Sequence, residues 1–253
     1  MCERGHIPCH KTNPSYCIIN IFFSGNLTTD DLDALTNHKP HLSIDKLKAG
    51  YGEMEILHDI DLRIGEGQSL CLIDPNGAGK STILHSIFGF TRIFSGDISI
   101  DGKQITSLTL NEKLKESCIA YILQDNSVFP NMTVDENLLM GGFLLDKTAD
   151  AKKAVDEVFS EYERLNKRRN NKASSLSGGE RRLLEIARAL IMNPKVLLVD
   201  EPSIGLEPKF INMVFEILRD LQSNQGKTII MVEQNAKKNT RLRTRRRRNC
   251  NFG

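Results

Sequence analysis

From His41 to Ile73 apolar and polar residues alternate in short runs broken by glycine, first in "HLSIDKLKAGYG" and again in "QSLCLI", which is the pattern of half-buried strands. The period then changes. "STILHSIFGF" places Ile83, Leu84, Ile87 and Phe88 on one face of an amphipathic helix, so a strand, a glycine-bearing loop and a helix follow in that order. "SGDISIDGKQI" reads as a hairpin in which Ile98 and Ile100 alternate with polar neighbours before an Asp101-Gly102 turn. "CIAYIL" predicts another strand. From Val134 to about Lys172 the chain turns helical and charged, with Ala154, Val155, Val158 and Phe159 on one face. "ERRLLEIARALIM" is a further amphipathic helix, and "KVLLV" and "KTIIMV" are the short continuous apolar runs that buried parallel strands show. The order predicts an α/β fold with a helical insert. No internal repeat or sustained heptad pattern is present.

At 253 residues the chain is long enough for one such domain and its insert. Residues 1–40 carry little pattern and read as a poorly ordered N-terminal extension; residues 41–238 form the body, with the helical part at about 130–175; residues 239–253 form a basic tail. Overall charge is +2, but the eight Lys and Arg between Lys237 and Gly253, with no acid among them, leave −6 for residues 1–236. A run of like charge without apolar periodicity is a solvated tail, or a contact for phosphates on nucleic acid or lipid. Six scattered cysteines in a chain of this size read as reduced thiols of a cytosolic protein. Cys2, His6, Cys9 and His10 offer four zinc-ligand types at a spacing that matches no closed structural site. The apolar run Cys17 to Phe23 is interrupted by Asn20 and falls far short of the ~20 residues that span a bilayer. Its flanks lack a clear small-residue cleavage site for a signal peptide. A membrane role therefore requires another chain.

Chemistry enters at "DPNGAGKST", residues 74–82. With Asp74 allowed as an exception, the stretch fits G-x-x-x-x-G-K-[ST]. Asn76, Gly77, Ala78 and Gly79 present backbone N–H groups to phosphate oxygens, Lys80 reaches the β and γ phosphates, the Ser81 hydroxyl can ligate Mg²⁺, and Thr82 opens the helix whose positive end faces the same anion. "KVLLVDEP" ends an apolar strand in two acids: Asp200 can hold Mg²⁺ through water, and Glu201 can polarise an attacking water. "SSLSGGERRLLEIARAL" puts Ser177, Gly178 and Gly179 at the start of an amphipathic helix. This is either an ordinary helix cap or a second anion cradle, and two such helix ends in one chain point to two copies sharing a nucleotide.

Over about residues 41–238 these motifs resemble the ATP-binding cassette (ABC) family. The resemblance implies a P-loop NTPase core of the ABC type, with an antiparallel β subdomain and an inserted helical subdomain. It assigns a Walker A loop ("PNGAGKST"), a Q-loop glutamine (Gln124 in "AYILQDNSVFPNMTVDENL"), a signature ("LSGGE"), a Walker B strand ("VLLVDEP"), a D-loop ("SIGLEP") and an adenine-stacking aromatic at Tyr51. Gln124 would join Ser81 and Asp200 around Mg²⁺, and Gln234 would sense the γ-phosphate. "GYGEMEIL", "VFPNMTVDENLLMG", "SIGLEP" and "VEQN" look like the ATP-binding subunits of branched-chain amino acid importers. Such a subunit binds ATP and Mg²⁺ and pairs head to tail with a second cassette, the same or different. It docks on membrane permease subunits at the cytoplasmic face of the inner membrane and is served indirectly by a solute-binding protein. The alternatives are a soluble ABC ATPase acting on nucleic acid through the basic tail, and a catalytically impaired variant.

Three departures from the family pattern stand out. Asp74 sets a carboxylate about 5 Å from phosphate charge, a repulsion of about 3 kcal/mol at an effective dielectric near 20, before screening by Mg²⁺ and Lys80. Gln234 occupies the place of a switch histidine and can donate a hydrogen bond without becoming a cation. Beyond "NAKK" the sequence "NTRLRTRRRRNCNFG" offers neither strand nor helix pattern where the family continues with both, so the tail reads as foreign sequence or as a phosphate contact.

Overall fold

Nine strands and seven α-helices can be followed in the computed structural model, which describes residues 16–17, 33–34, 36, 39–73, 79–124 and 127–233. Among these residues two sheets form. The long alternating segments β2 (Pro40–Tyr51) and β3 (Met54–Gly65) pair antiparallel, and β5 (Arg92–Ile100) and the short β6 (Lys103–Gln104) extend them in the order β3-β2-β5-β6. Asp101 at φ 49° and Gly102 at φ 75° make the β5–β6 turn, as the hairpin pattern requires. The second sheet is parallel, in the order β1-β4-β9-β8-β7: β1 (Tyr16–Cys17), β4 (Ser69–Ile73), β9 (Thr228–Glu233), β8 (Val196–Asp200) and β7 (Ile119–Ile122). Two residues of the N-terminal extension thus supply an edge strand, Tyr16 beside Ser69 and Cys17 beside Leu70.

The half-buried reading of "QSLCLI" is corrected here. β4 lies between β1 and β9, and Leu70, Cys71 and Leu72 are all buried. Both faces of this strand are covered, as in other parallel sheets, so its polar flank Gln68-Ser69 marks only where the strand begins.

Helix α1 (Lys80–Phe88) follows β4; its apolar residues Ile83, Leu84 and Ile87 pack with Leu42, Ile44 and Leu57 of the antiparallel sheet and Leu72, Leu198 and Ile230 of the parallel one. α1 is therefore wedged between the two sheets. Helix α2 (Leu110–Lys115), opened by a Thr109–Glu112 capping box, leads into β7. Beyond β7, α3 (Val134–Gly141), α4 (Thr148–Glu161) and α5 (Glu163–Asn166) share an apolar cluster of Val134, Leu138, Val155, Val158, Phe159 and Leu165. Helix α6 (Gly178–Leu190) gives Leu183, Leu184 and Ala187 to that cluster and Ile186 to the far face of the parallel sheet, joining the two. Helix α7 (Pro208–Ser223) covers the same far face through Val214, Phe215 and Leu218.

Candidate nucleotide site

In a parallel sheet all carboxyl ends lie on one edge, and loops that leave this edge form the ligand crevice. The register aligns them here: Ile73 pairs with Glu233, Val232 with Asp200, and Val199 with Ile122. The end of β4, Gln124, Asp200, Glu201 and the end of β9 consequently meet at one edge although they are far apart in sequence.

Gly79 holds φ at 74°, in the left-handed region, and a Cβ there would stand 2.9 Å from Leu57 Cδ2. The left-handed backbone favours glycine, and any side chain would also have to push the Leu57 methyl aside. Lys80 is buried, with 8% of its surface exposed, and begins α1. No side chain caps the first turn of α1 and no acid sits in it. Its leading N–H groups and dipole are those of an anion-binding helix end. Residues 74–78, including Asp74, Asn76, Gly77 and Ala78, lie outside the described residues, as does Gln234.

Asp200, 4% exposed, receives two hydroxyls: Ser81 Oγ donates to Oδ1 at 3.0 Å and the Tyr121 hydroxyl donates to Oδ2 at 3.0 Å. Burial first, and then the charge of Asp200, raise the Tyr121 phenol far above its ordinary range, so it stays a donor. Glu201 turns the chain sharply out of β8 at φ 43°, its N–H donating to Val232 O at 3.0 Å. Its Oε2 accepts from Gln124 Nε2 at 3.1 Å. Hydroxyl and carboxylate oxygens meet at Ser81 and Asp200, and the Gln124 amide is held at the adjacent Glu201, the hard-donor chemistry that suits Mg²⁺ beside a triphosphate. The residues present fit that pair: Ser81, Asp200 and Gln124 for the cation, Gly79, Lys80 and the Thr82 turn of α1 for phosphate.

Tyr51, 42% exposed, borders an aromatic group built on α1. Its hydroxyl hydrogen-bonds His85 Nδ1, and His85 meets the edges of Phe90 and Tyr121 at 5.6 and 5.7 Å between centroids. Burial lowers the His85 pKa, and the Asp200 charge works against that.

At α6 the capping reading is realised. Ser177 Oγ accepts from Glu180 N–H at 3.3 Å, and Glu180 Oε2 accepts from Ser177 N–H at 2.9 Å. Ser177 and Gly178 are exposed. Gly179 is buried, and a Cβ on it would lie 1.9 Å from Phe210 Cδ1, so its missing side chain serves the packing of α6 on α7.

Sequence reasoning overlooked three supports. Tyr121 is one; the tyrosine in "CIAYIL" read only as a strand residue. Arg182, 5% exposed, donates to Leu123 O at 2.6 Å, to Asp200 O at 3.2 Å and to Glu185 at 2.7 Å, lashing α6 to the ends of β7 and β8. Glu233 accepts from the Ser203 N–H at 3.1 Å and hydroxyl at 3.0 Å, fixing the loop after Glu201. The Arg182–Glu185 pair, an arginine with a glutamate three residues on, was the one signal the sequence offered for any of these.

Among the described residues Cys118 carries a free thiol, no group of His, Cys and acidic residues could hold a metal ion, and no helix is long and apolar enough to cross a membrane. Cys2, His6, Cys9, His10 and the basic tail lie outside the described residues.

Residues 57–204 match the family model described as "ABC transporter". The chain is 41% identical to the high-affinity branched-chain amino acid transport ATP-binding protein BraG of Pseudomonas aeruginosa, over 81% of this chain and 86% of that one. It is 40% identical to the probable branched-chain amino acid transport ATP-binding protein LivF of Archaeoglobus fulgidus, over 76% and 81%. Among solved structures, a nucleotide-free ATP-binding cassette from an ABC transporter superposes with a TM-score of 0.72 at 28% identity, covering 80% of this chain and 85% of that one. A dimeric ATP-binding cassette in a post-hydrolysis state, bound to ADP and Pi, superposes with a TM-score of 0.67 at 27% identity, over 78% and 89%.

Proposed function

The chain belongs to the ABC transporter family of ATPases, and from that premise we propose that it is the ATP-hydrolysing subunit of an importer for branched-chain or related amino acids. The observation that carries the site assignment is the junction at the sheet edge, where Ser81, Asp200, Gln124 and Glu201 are joined by hydrogen bonds from three separate segments. Gly79, Lys80 and the uncapped end of α1, with Asn76, Gly77 and Ala78, hold the phosphates, and Tyr51 stacks on adenine. Ser81, Asp200 and Gln124 would hold Mg²⁺, which would supply neutralisation of phosphate charge. Glu201 accepts the proton of the attacking water as its oxygen bonds to the γ-phosphorus and the bond to ADP breaks, while Gln124 orients the Glu201 carboxylate. Gln234 donates to the γ-phosphate.

Two chains face each other head to tail, so that the exposed Ser177 and Gly178 of one close over nucleotide held by Lys80 of the other; the second cassette is a copy or a close relative. Closure is transmitted through the helical part to permease subunits at the cytoplasmic face of the inner membrane, and solute arrives through a binding protein. The amino-acid cargo is supported by the similarity to the two branched-chain amino acid proteins.

The test uses Glu201→Gln, which keeps the site's shape and removes its base. With Mg-ATP, light scattering after size exclusion should show a dimer that outlasts the wild-type one, with turnover reduced about 10²-fold or more. If neither form binds ATP or dimerises, even after Asp74→Gly, the proposed engine does not exist.

A further inference from the structure

Asp200 differs from Glu201 in how it is held. Both of its carboxylate oxygens are occupied by hydroxyl donors, and the donors come from different elements: Ser81 from α1 and Tyr121 from β7. Arg182, on α6, holds the backbone carbonyl of the same residue. A carboxylate has about four acceptor positions. Two fixed donors set its plane and leave about two acceptor positions for a cation. With Ser81 alone the group could turn about its Cβ–Cγ bond.

The Tyr121 ring is itself immobilised. It stacks on Phe88 at 5.5 Å and an interplanar angle of 26°, and takes edge contacts from Phe90 at 5.8 Å and His85 at 5.7 Å. Phe88 and His85 belong to α1, the helix that carries Lys80 and Ser81. One hydroxyl thus ties the end of β8 to a ring braced by the phosphate-binding helix.

We propose that Tyr121 is a positioning residue for metal binding: its hydroxyl orients the Asp200 carboxylate, so that loss of this one oxygen weakens the divalent cation without disturbing the aromatic packing. The inference rests on the reading of Asp200 as a metal-holding group. Phenylalanine at 121 keeps the ring and its neighbours and removes only the donor.

The experiment measures Mn²⁺ binding to the full chain with saturating ADP, by the electron paramagnetic resonance signal of free Mn²⁺, for wild type, Tyr121→Phe and Asp200→Asn. ADP binding without metal and thermal unfolding are recorded alongside. Tyr121→Phe should raise the half-saturating Mn²⁺ concentration about tenfold, the scale of one charge-assisted hydrogen bond, with metal-free ADP binding unchanged and the chain still fully folded at the assay temperature despite a lowered unfolding temperature. Asp200→Asn should raise it further. If Tyr121→Phe stays within about twofold of wild type while Asp200→Asn does not, Tyr121 only packs and the inference falls. Should Asp200→Asn also bind Mn²⁺ normally, the assignment of Asp200 falls and takes this one with it. An equal loss of metal-free ADP binding in Tyr121→Phe marks general damage to the site and likewise overturns the inference.

Discussion

Lys113 is 1% exposed, an unusual place for a lysine, and its Nζ donates to Ile87 O at 3.0 Å. It thereby caps the carboxyl end of α1, the helix whose other end is assigned to phosphate, and its charge complements the negative end of that helix. Burial nevertheless dominates and pulls its pKa from 10.5 down to about 8. That displacement corresponds to about 3 kcal/mol of folding stability forgone while the amine is charged. Below pH 8 folded and unfolded chains both hold the proton and the cost is complete. Between pH 8 and 10.5 the unfolded chain keeps a proton that the folded chain has shed, so stability rises with pH through this window. Lys113→Met has similar length and no charge. At pH 7 it removes the cost of about 3 kcal/mol and leaves the Ile87 carbonyl without its donor, which costs about 1–3 kcal/mol, so the variant should match or exceed wild type. By pH 9.5 the wild type regains about 2 kcal/mol and the variant gains nothing from this site. Urea unfolding at fixed ionic strength from pH 7 to 9.5 measures the difference. A difference constant to within about 0.5 kcal/mol over that range would show that the lysine is not charged at its buried site in the way argued.

Two further outcomes follow from the geometry and the sequence. Gly179→Ala forces the Phe210 ring from its place and should destabilise the chain by about 1–3 kcal/mol; adding Phe210→Ala should recover much of that loss, and additive losses in denaturant titrations would show that the two residues do not compete for space. Asp74→Gly removes a carboxylate from the phosphate loop and should tighten ATP binding by tens of fold, whereas equal affinities by calorimetric titration would show that Asp74 lies clear of the phosphates.

The local signals were those that depend on neighbours in the chain. Alternation in "HLSIDKLKAGYG" gave β2, the Asp101-Gly102 pair gave the hairpin turn, and Ile83, Leu84 and Ile87 gave the buried face of α1. These are short-range effects of side-chain period and backbone φ, so they survive in sequence alone. The reading of "QSLCLI" failed because alternation does not reveal what covers a strand; β4 is buried on both faces because Leu70 and Leu72 pack in the cluster of α1 and Cys71 packs in the cluster of α7.

For the site, the sequence named the groups proposed for phosphate chemistry, since a glycine loop ahead of Gly79-Lys80-Ser81 and the acids Asp200 and Glu201 after an apolar strand carry their chemistry in residue type and order. What holds those groups was decided by the parallel register of β4, β9, β8 and β7, which brings segments more than 100 residues apart to one edge. Tyr121 reaches Asp200 across 79 positions, and Glu233 reaches back 30 to Ser203. Gly179 shows the same division: its residue type was visible in "LSGGE", but its packing role belongs to Phe210, on a helix that the chain reaches only later. Hydrogen bonds and close packing between distant segments have no period to read, and they exist only once the sheet has set its order.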